Sequence, residues 1–201
     1  MLGGGRLDDD QVQHALDGFA TLPAQPDAEP AMRAMVDAGV SVVCLSNGAR
    51  DSTEAFLDRC GLRPLVDQVL SVADVRMRKP PRAVYDHAFT HVNQPADEVA
   101  LVAVHAFDCH GAHAAGLTTG WAARLEKHYA EIFTPADVVG DDLVDVAHAL
   151  TALTALTAAL NRRHRRGCAA EHPSAPGSTG GGPGSGGSTC AVVGCRRASP
   201  R

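Results

Sequence analysis

Apolar runs of five or six residues, separated by amphipathic stretches, organise the first three quarters of this chain. Val40-Ser41-Val42-Val43-Cys44-Leu45 reads as a buried strand that ends in Ser46-Asn47-Gly48, and Val99 to Val104 and Leu117 to Ala122 read the same way. Gln68 to Val72 is a short further strand, and Ala136 to Gly140 a final edge strand. Helical patterns fill the intervals. Pro30 opens one through Asp37 with Gly39 just past its end, and Asp51 to Cys60 is closed by Gly61. Lys79-Pro80-Pro81 launches a helix that carries Tyr85, Ala88 and Phe89, and a small-residue helix stops at Gly116. Leu143, Val146, Leu150, Leu153, Leu156 and Leu160 recur at spacings of three and four, a terminal amphipathic helix. Arg162 to Arg166 ends it, where positive charge suits the helix dipole. Strands alternating with helices predict an α/β fold with a parallel, doubly wound sheet.

The two ends do not share this pattern. Met1 to Arg6 is Gly-rich, and Leu7 to Leu22 has weak helical character. Nine of the 20 Gly and four of the 12 Pro follow Leu160, which sets apart a Gly/Ser/Pro/Arg-rich tail at 161–201, and a Pro-punctuated connector that begins at Ala24 separates 1–23 from a core at 24–160. Charge divides at the same place. The first 160 residues carry 11 Lys+Arg against 22 Asp+Glu, and the last 41 carry seven Arg and one Glu. An acidic body is a poor nucleic-acid partner, and the tail composition favours a solvated, disordered end over a polyanion site. No apolar run reaches membrane-spanning length and no signal peptide opens the chain. Cys44 and Cys60 sit where free thiols pack as small hydrophobes, and a reduced, cytoplasmic protein is expected. Cys190 and Cys195 lack the second ligand pair that a zinc site needs.

Three strand ends carry polar groups. Ser46 and Asn47 stand where a strand turns into a helix, and backbone N–H groups with a hydroxyl and an amide can receive an anion there; Ser-Asn-Gly is equally a good turn. Lys79, directly before two prolines, is either held at a rigid point beside a carboxylate or an ordinary exposed lysine. Asp108 is an active-site acid, an N-cap for the helix it precedes, or both. His105 is a general base near neutral pH or a hydrogen-bonded structural histidine. Asp17-Gly18-Phe19-Ala20-Thr21 looks like a hydrolase nucleophile loop, but no buried strand precedes it and Ala20 stands where the tight turn wants Gly.

In this order and at these spacings the motifs resemble the haloacid dehalogenase superfamily, and within it the type II L-2-haloacid dehalogenase branch. The resemblance rests on Leu45-Ser46-Asn47-Gly48, on Leu70-Ser71-Val72 followed by Arg78-Lys79-Pro80 and Tyr85, and on Val102-Ala103-Val104-His105-Ala106-Phe107-Asp108 with Gly111-Ala112 and Ala115-Gly116-Leu117-x-Thr119-x-Trp121. It covers about Leu22 to Leu150. What it implies is an HAD-like sheet with flanking helices and hydrolysis of the carbon–halide bond of (S)-2-haloalkanoic acids, through an ester on an aspartate nucleophile. Ser46, Asn47 and Tyr85 then match substrate-site positions, Lys79 the lysine that holds the nucleophile, and Asp108 the acid supporting lysine and water. His105 falls where many members carry Asn, and Ala103 where some have a site Ser. The implied partner is a small 2-haloacid, with no cofactor and no metal, and a homodimer is compatible with the resemblance. A superfamily phosphatase would carry an Asp four residues before Asp108 to help hold Mg²⁺; the chain has Val104, whose side chain offers a hard cation no oxygen.

The resemblance also sets an expectation of incompleteness. The family opens with a buried strand ending in Asp-x-x-Gly-Thr and then a helical cap; here the motif has no counterpart, and 1–23 matches only a remnant of the cap. That strand lies at the sheet's centre, so its loss would leave two buried edges with unpaired backbone groups, each costing about 1–3 kcal/mol. The expectation is a marginal, catalytically inert chain. The alternatives are a non-catalytic interaction protein that keeps the sheet, or a phosphatase of the same superfamily. If the family assignment holds, Ser46, Lys79 and Asp108 must meet at one rim of a parallel sheet.

Overall fold

A computed structural model describes residues 8–154 and 190–193. The elements run α1 (Asp9–Ala20), α2 (Ala28–Asp37), β1 (Ser41–Ser46), α3 (Arg50–Arg59), β2 (Gln68–Ser71), α4 (Arg82–Val92), β3 (Val99–Ala103), α5 (Ala106–Ala114), β4 (Thr118–Ala122) and β5 (Val138–Gly140). A helix over 143–154, here α6, and β6 (Cys190–Val193) complete them. Single 3₁₀ turns lie at Arg63–Leu65, Val72–Val75 and Ala96–Glu98.

The strands form one sheet in the order β2-β1-β6-β3-β4-β5, and every pairing is parallel. Alternation along each strand divides the side chains between two cores, as a sheet covered on both faces requires. Val42, Cys44, Val69, Val102 and Ala122 face Met32 and Met35 of α2, Leu57 of α3, and Val146 and Leu150 of α6. Val43, Leu45, Leu70, Leu101, Ala103 and Trp121 face Val84, Tyr85 and Ala88 of α4 and Cys109 and Ala112 of α5. At Gly120 a Cβ would collide with Val146 Cγ1, so glycine lets α6 seat against β4.

Local signals account for most of the boundaries. Gly39 and Gly61 take φ of 77° and 71° just past α2 and α3, the left-handed exits that glycine permits. α2 begins two residues before the sequence suggests, so Pro30 is its third residue. α1 starts on a capping box: the Asp8 side chain accepts from Gln11 N–H at 2.8 Å, and Gln11 Oε1 accepts from Asp8 N–H at 3.1 Å.

One strand departs from the sequence-based expectation. Cys190–Val193, in the segment that composition reads as a disordered tail, lies between β1 and β3 in the position where a central strand was expected to be missing. Ser41 to Cys44 pair with Cys190 to Val193 on one side, and Val99 to Val102 pair with the same four residues on the other. An apolar tetrapeptide with a neighbour on each flank meets the backbone demand that the two edges would otherwise leave open. The expectations for Leu156, Leu160, Arg162–Arg166 and Cys195 lie outside the described residues, as does the rest of 161–201. Among the described residues no helix is long and apolar enough to cross a membrane.

Candidate active site

All six strands run in one direction, so their carboxyl ends share a rim, the usual place for chemistry in an open α/β sheet. β1 ends there at Ser46, and β3 passes there through Val104 and His105 into α5. The loop between β2 and α4 brings Lys79 to the same rim. The Lys79 backbone N–H donates to Asn47 Oδ1 at 3.1 Å, tying that loop to the end of β1. The Lys79-Pro80 peptide is cis.

The centre of the site is an ion pair removed from water. Lys79 Nζ lies 2.8 Å from Asp108 Oδ2, with side-chain exposures of 3% and 6%. Tyr85 from α4 donates its hydroxyl to the other carboxylate oxygen, Oδ1, at 2.7 Å, and lies 3.2 Å from the Asp108 carbonyl. Each carboxylate oxygen therefore has one strong donor, the satisfaction that a buried charge needs. Burial, followed by the adjacent Asp108 charge, raises the Tyr85 phenol far above its ordinary pKa, so it stays a proton donor. Burial also pushes the next residue, Cys109, up to about 12, which leaves an inert thiol and not a nucleophile.

Asp108 is not an N-cap. The cap position of α5 belongs to His105, whose side chain makes no capping bond, and Asp108 is the third helical residue. There the carboxylate still benefits from the helix N-terminal dipole, while its direction is set by Lys79 and Tyr85. Gly111, one turn on, permits this approach: a Cβ would lie 2.5 Å from the Pro80 carbonyl oxygen and 2.7 Å from the Tyr85 hydroxyl.

The cap comes from a residue that the sequence did not mark. Glu126, in the loop after β4, accepts the Ala106 N–H through Oε2 at 2.9 Å and places Oε1 2.8 Å from His105 Nδ1. A carboxylate can only accept, so Nδ1 carries the proton and Nε2 of a neutral ring is the acceptor. A glutamate twenty-one residues from its histidine leaves no local pattern by which to find it.

At the end of β1, Ser46 Oγ accepts the Gly48 N–H at 3.0 Å, and Ser71 Oγ donates to the Gly48 carbonyl at 2.8 Å. The turn is thus fixed by a bond within itself and by bonds from β2 and from the Lys79 loop. Asn47 spends its oxygen on the Lys79 N–H, so its NH₂ is the part of the amide left to donate. The structure joins Lys79, Asp108, Tyr85 and Asn47 directly, sets Ser46 beside Asn47, and turns His105 toward Glu126. Lys79 and Asp108 are in direct contact, and Ser46 ends β1 one residue before the Asn47 that accepts the Lys79 N–H.

Residues 10–122 match the family model described as haloacid dehalogenase-like hydrolase. (S)-2-haloacid dehalogenase 1 of Pseudomonas sp. (strain CBS-3) is 32% identical over 126 residues, which are 63% of this chain and 56% of that protein. (S)-2-haloacid dehalogenase of Pseudomonas fluorescens is 28% identical over 144 residues, 72% of this chain and 63% of that protein. Among solved structures, the L-2-haloacid dehalogenase RSc1362 superposes with a TM-score of 0.67 at 29% identity, over 71% of this chain and 63% of that one. The chain thus spans about half to somewhat under two thirds of the length of the curated relatives it matches. The parallel sheet, the motif order and the matched residues agree, and the chain belongs to the haloacid dehalogenase-like hydrolase family.

Proposed function

We propose that this rim is the site of an (S)-2-haloacid dehalogenase-type hydrolase. In that chemistry an aspartate oxygen attacks C2 of a 2-haloalkanoate, the carbon–halogen bond breaks with loss of halide, and water hydrolyses the resulting ester to the 2-hydroxy acid and the free aspartate. The observation that carries this reading is the buried Lys79–Asp108 pair, capped by Tyr85 and tied through Lys79 N–H to Asn47. Ser46 and the Asn47 NH₂ take the substrate carboxylate. Lys79 holds the attacking carboxylate, and Asp108 fixes Lys79. His105, oriented by Glu126, accepts a proton from the hydrolytic water at Nε2. No cofactor or metal is assigned; Val104 stands where a phosphatase of this superfamily would need a carboxylate.

No aspartate of the 201 residues occupies the attacking position in this scheme, so we assign the chain by itself ligand binding without turnover. Its compartment in this reading is the cytoplasm, which the free thiols Cys60 and Cys109 support. The test is a titration with (S)-2-chloropropionate, followed by amide chemical shifts and by chloride release. Shifts at Ser46, Asn47 and Lys79 without chloride release are expected. Unmoved amides at those three residues would overturn the substrate assignment, and chloride release would overturn the inertness. Mg²⁺-dependent cleavage of p-nitrophenyl phosphate would favour a phosphatase instead.

A further inference from the structure

The two halves of the sheet never pair with each other. Among the described residues, β2-β1 and β3-β4-β5 meet only through β6, which is hydrogen-bonded to both. The edges it joins belong to the deepest part of the fold: Val42, Val43 and Leu101 are wholly buried and Val102 is 1% exposed. Adjacent strands lie about 4.8 Å apart, so β1 and β3 stand one strand's width too far apart to bond directly. A row of main-chain donors and acceptors on each side, with both faces already covered by helices, selects an extended segment without regard to much beyond its apolar character.

We propose that the space between β1 and β3 is a strand-acceptor site, filled in cis by this chain's own Cys190–Val193, and that the segment is an exchangeable insert. Three observations support that occupant. Cys190-Ala191-Val192-Val193 is apolar throughout in sequence, as a central strand position in a parallel sheet favours, and is set off by Thr189 and Gly194. Its four residues are in parallel register with four on each side. Thirty-five residues separate 154 from 190, and at about 3.3 Å per extended residue they reach across the sheet with length to spare. A tether of that kind supplies an effective concentration on the order of millimolar. The site should therefore accept a free peptide of the same sequence only when the tethered strand is prevented from pairing.

The test uses the full chain. Hydrogen exchange should show the amides of Ala191, Val192 and Val193 slowed at least about a hundredfold relative to the free octapeptide of residues 188–195, alongside those of Val43 and Leu101. Val192→Pro removes a main-chain donor from a strand with partners on both sides, so the melting temperature should fall by at least about 5 °C. A fluorescein-labelled copy of the octapeptide, kept reduced, should bind the Val192→Pro chain at least tenfold tighter than the unaltered chain. Free-peptide exchange rates at 191–193, with β1 and β3 still protected, would overturn the proposal by showing the site filled by something else. Equal peptide binding to both chains would overturn it too. Protection found only in a dimer would make the occupant a second copy and overturn the assignment in cis. If Val192→Pro does not fold, the exchange pattern of the unaltered chain decides alone.

Discussion

Glu126 holds His105 and the start of α5 with one carboxylate: Oε1 stands 2.8 Å from the imidazole Nδ1, while Oε2 accepts the Ala106 N–H at 2.9 Å. The two contacts separate under mutation. Glu126→Gln keeps an acceptor for one of them, whereas Glu126→Ala removes both and leaves the helix end without its cap. Loss of a side-chain cap costs about 0.5–2 kcal/mol. Urea unfolding should place Glu126→Ala in that range below the unaltered chain, with Glu126→Gln between them. Ring ¹⁵N shifts should report Nδ1 as a protonated nitrogen of the His105 ring in the unaltered chain and a tautomer mixture in Glu126→Ala. An unchanged ring spectrum would show that Glu126 does not orient the imidazole.

The Lys79–Asp108 pair should be far more sensitive to removal of one partner than of both. Lys79→Met leaves a carboxylate buried without its counter-charge, and breaking such a pair costs about 3–5 kcal/mol. That is a large share of the roughly 5–15 kcal/mol of a typical domain. The double substitution Lys79→Met with Asp108→Leu removes both charges and should lie closer to the unaltered chain than Lys79→Met does. Chemical denaturation of the three proteins checks the order. A double variant less stable than the single by the full cost of a second substitution would mean that the two side chains are not coupled.

Gly111→Ala should destabilise, against the ordinary preference. In a helix interior alanine is favoured over glycine by about 1 kcal/mol. Here the new methyl would meet the Pro80 carbonyl at 2.5 Å and the Tyr85 hydroxyl at 2.7 Å, and backbone does not yield cheaply. Overpacking of this sort costs about 1–3 kcal/mol. A raised melting temperature for Gly111→Ala would show that α5 does not approach the Lys79–Pro80 loop this closely.

Stability should fall on the alkaline side. In the unfolded chain a thiol ionises near 8.5 and a phenol near 10. In the fold, burial holds the Cys109 proton up to about 12 and raises Tyr85 further. Between those values the unfolded state binds fewer protons than the native state, so the stability present below about pH 8.5 is lost as pH climbs toward 12. Urea midpoints measured from pH 8 to 10.5 should decline, and Cys109→Ala should lessen the decline. Alkylation at pH 8 should label the half-buried Cys60 and spare the fully buried Cys109 until unfolding.

Most of the architecture was legible because buried parallel strands read as unbroken apolar runs and their helices end on glycine. Val99–Ala103 and Ser41–Ser46 appear within a residue of where those runs place them. Lys79 and Asp108 were legible as candidates from their positions after strands, but their contact joins residues twenty-nine apart and no local rule contains it. Asp108 as a cap was misread because the chain enters α5 three residues earlier, at His105. β6 was illegible for a different reason. Four apolar residues in a Gly/Ser setting look like linker until two strand edges exist to receive them.

The order of strands in the sheet has a consequence for synthesis. As the chain leaves the ribosome, β1 through β5 emerge first, and the strand that unites them follows last. For that interval the nascent protein presents two half-sheets, each with an open border of bare amides and carbonyls, the surface on which chains join end to end into aggregates. A translation pause or a premature stop before residue 190 would prolong that exposure, making the late stretch a point where the yield of native protein is decided.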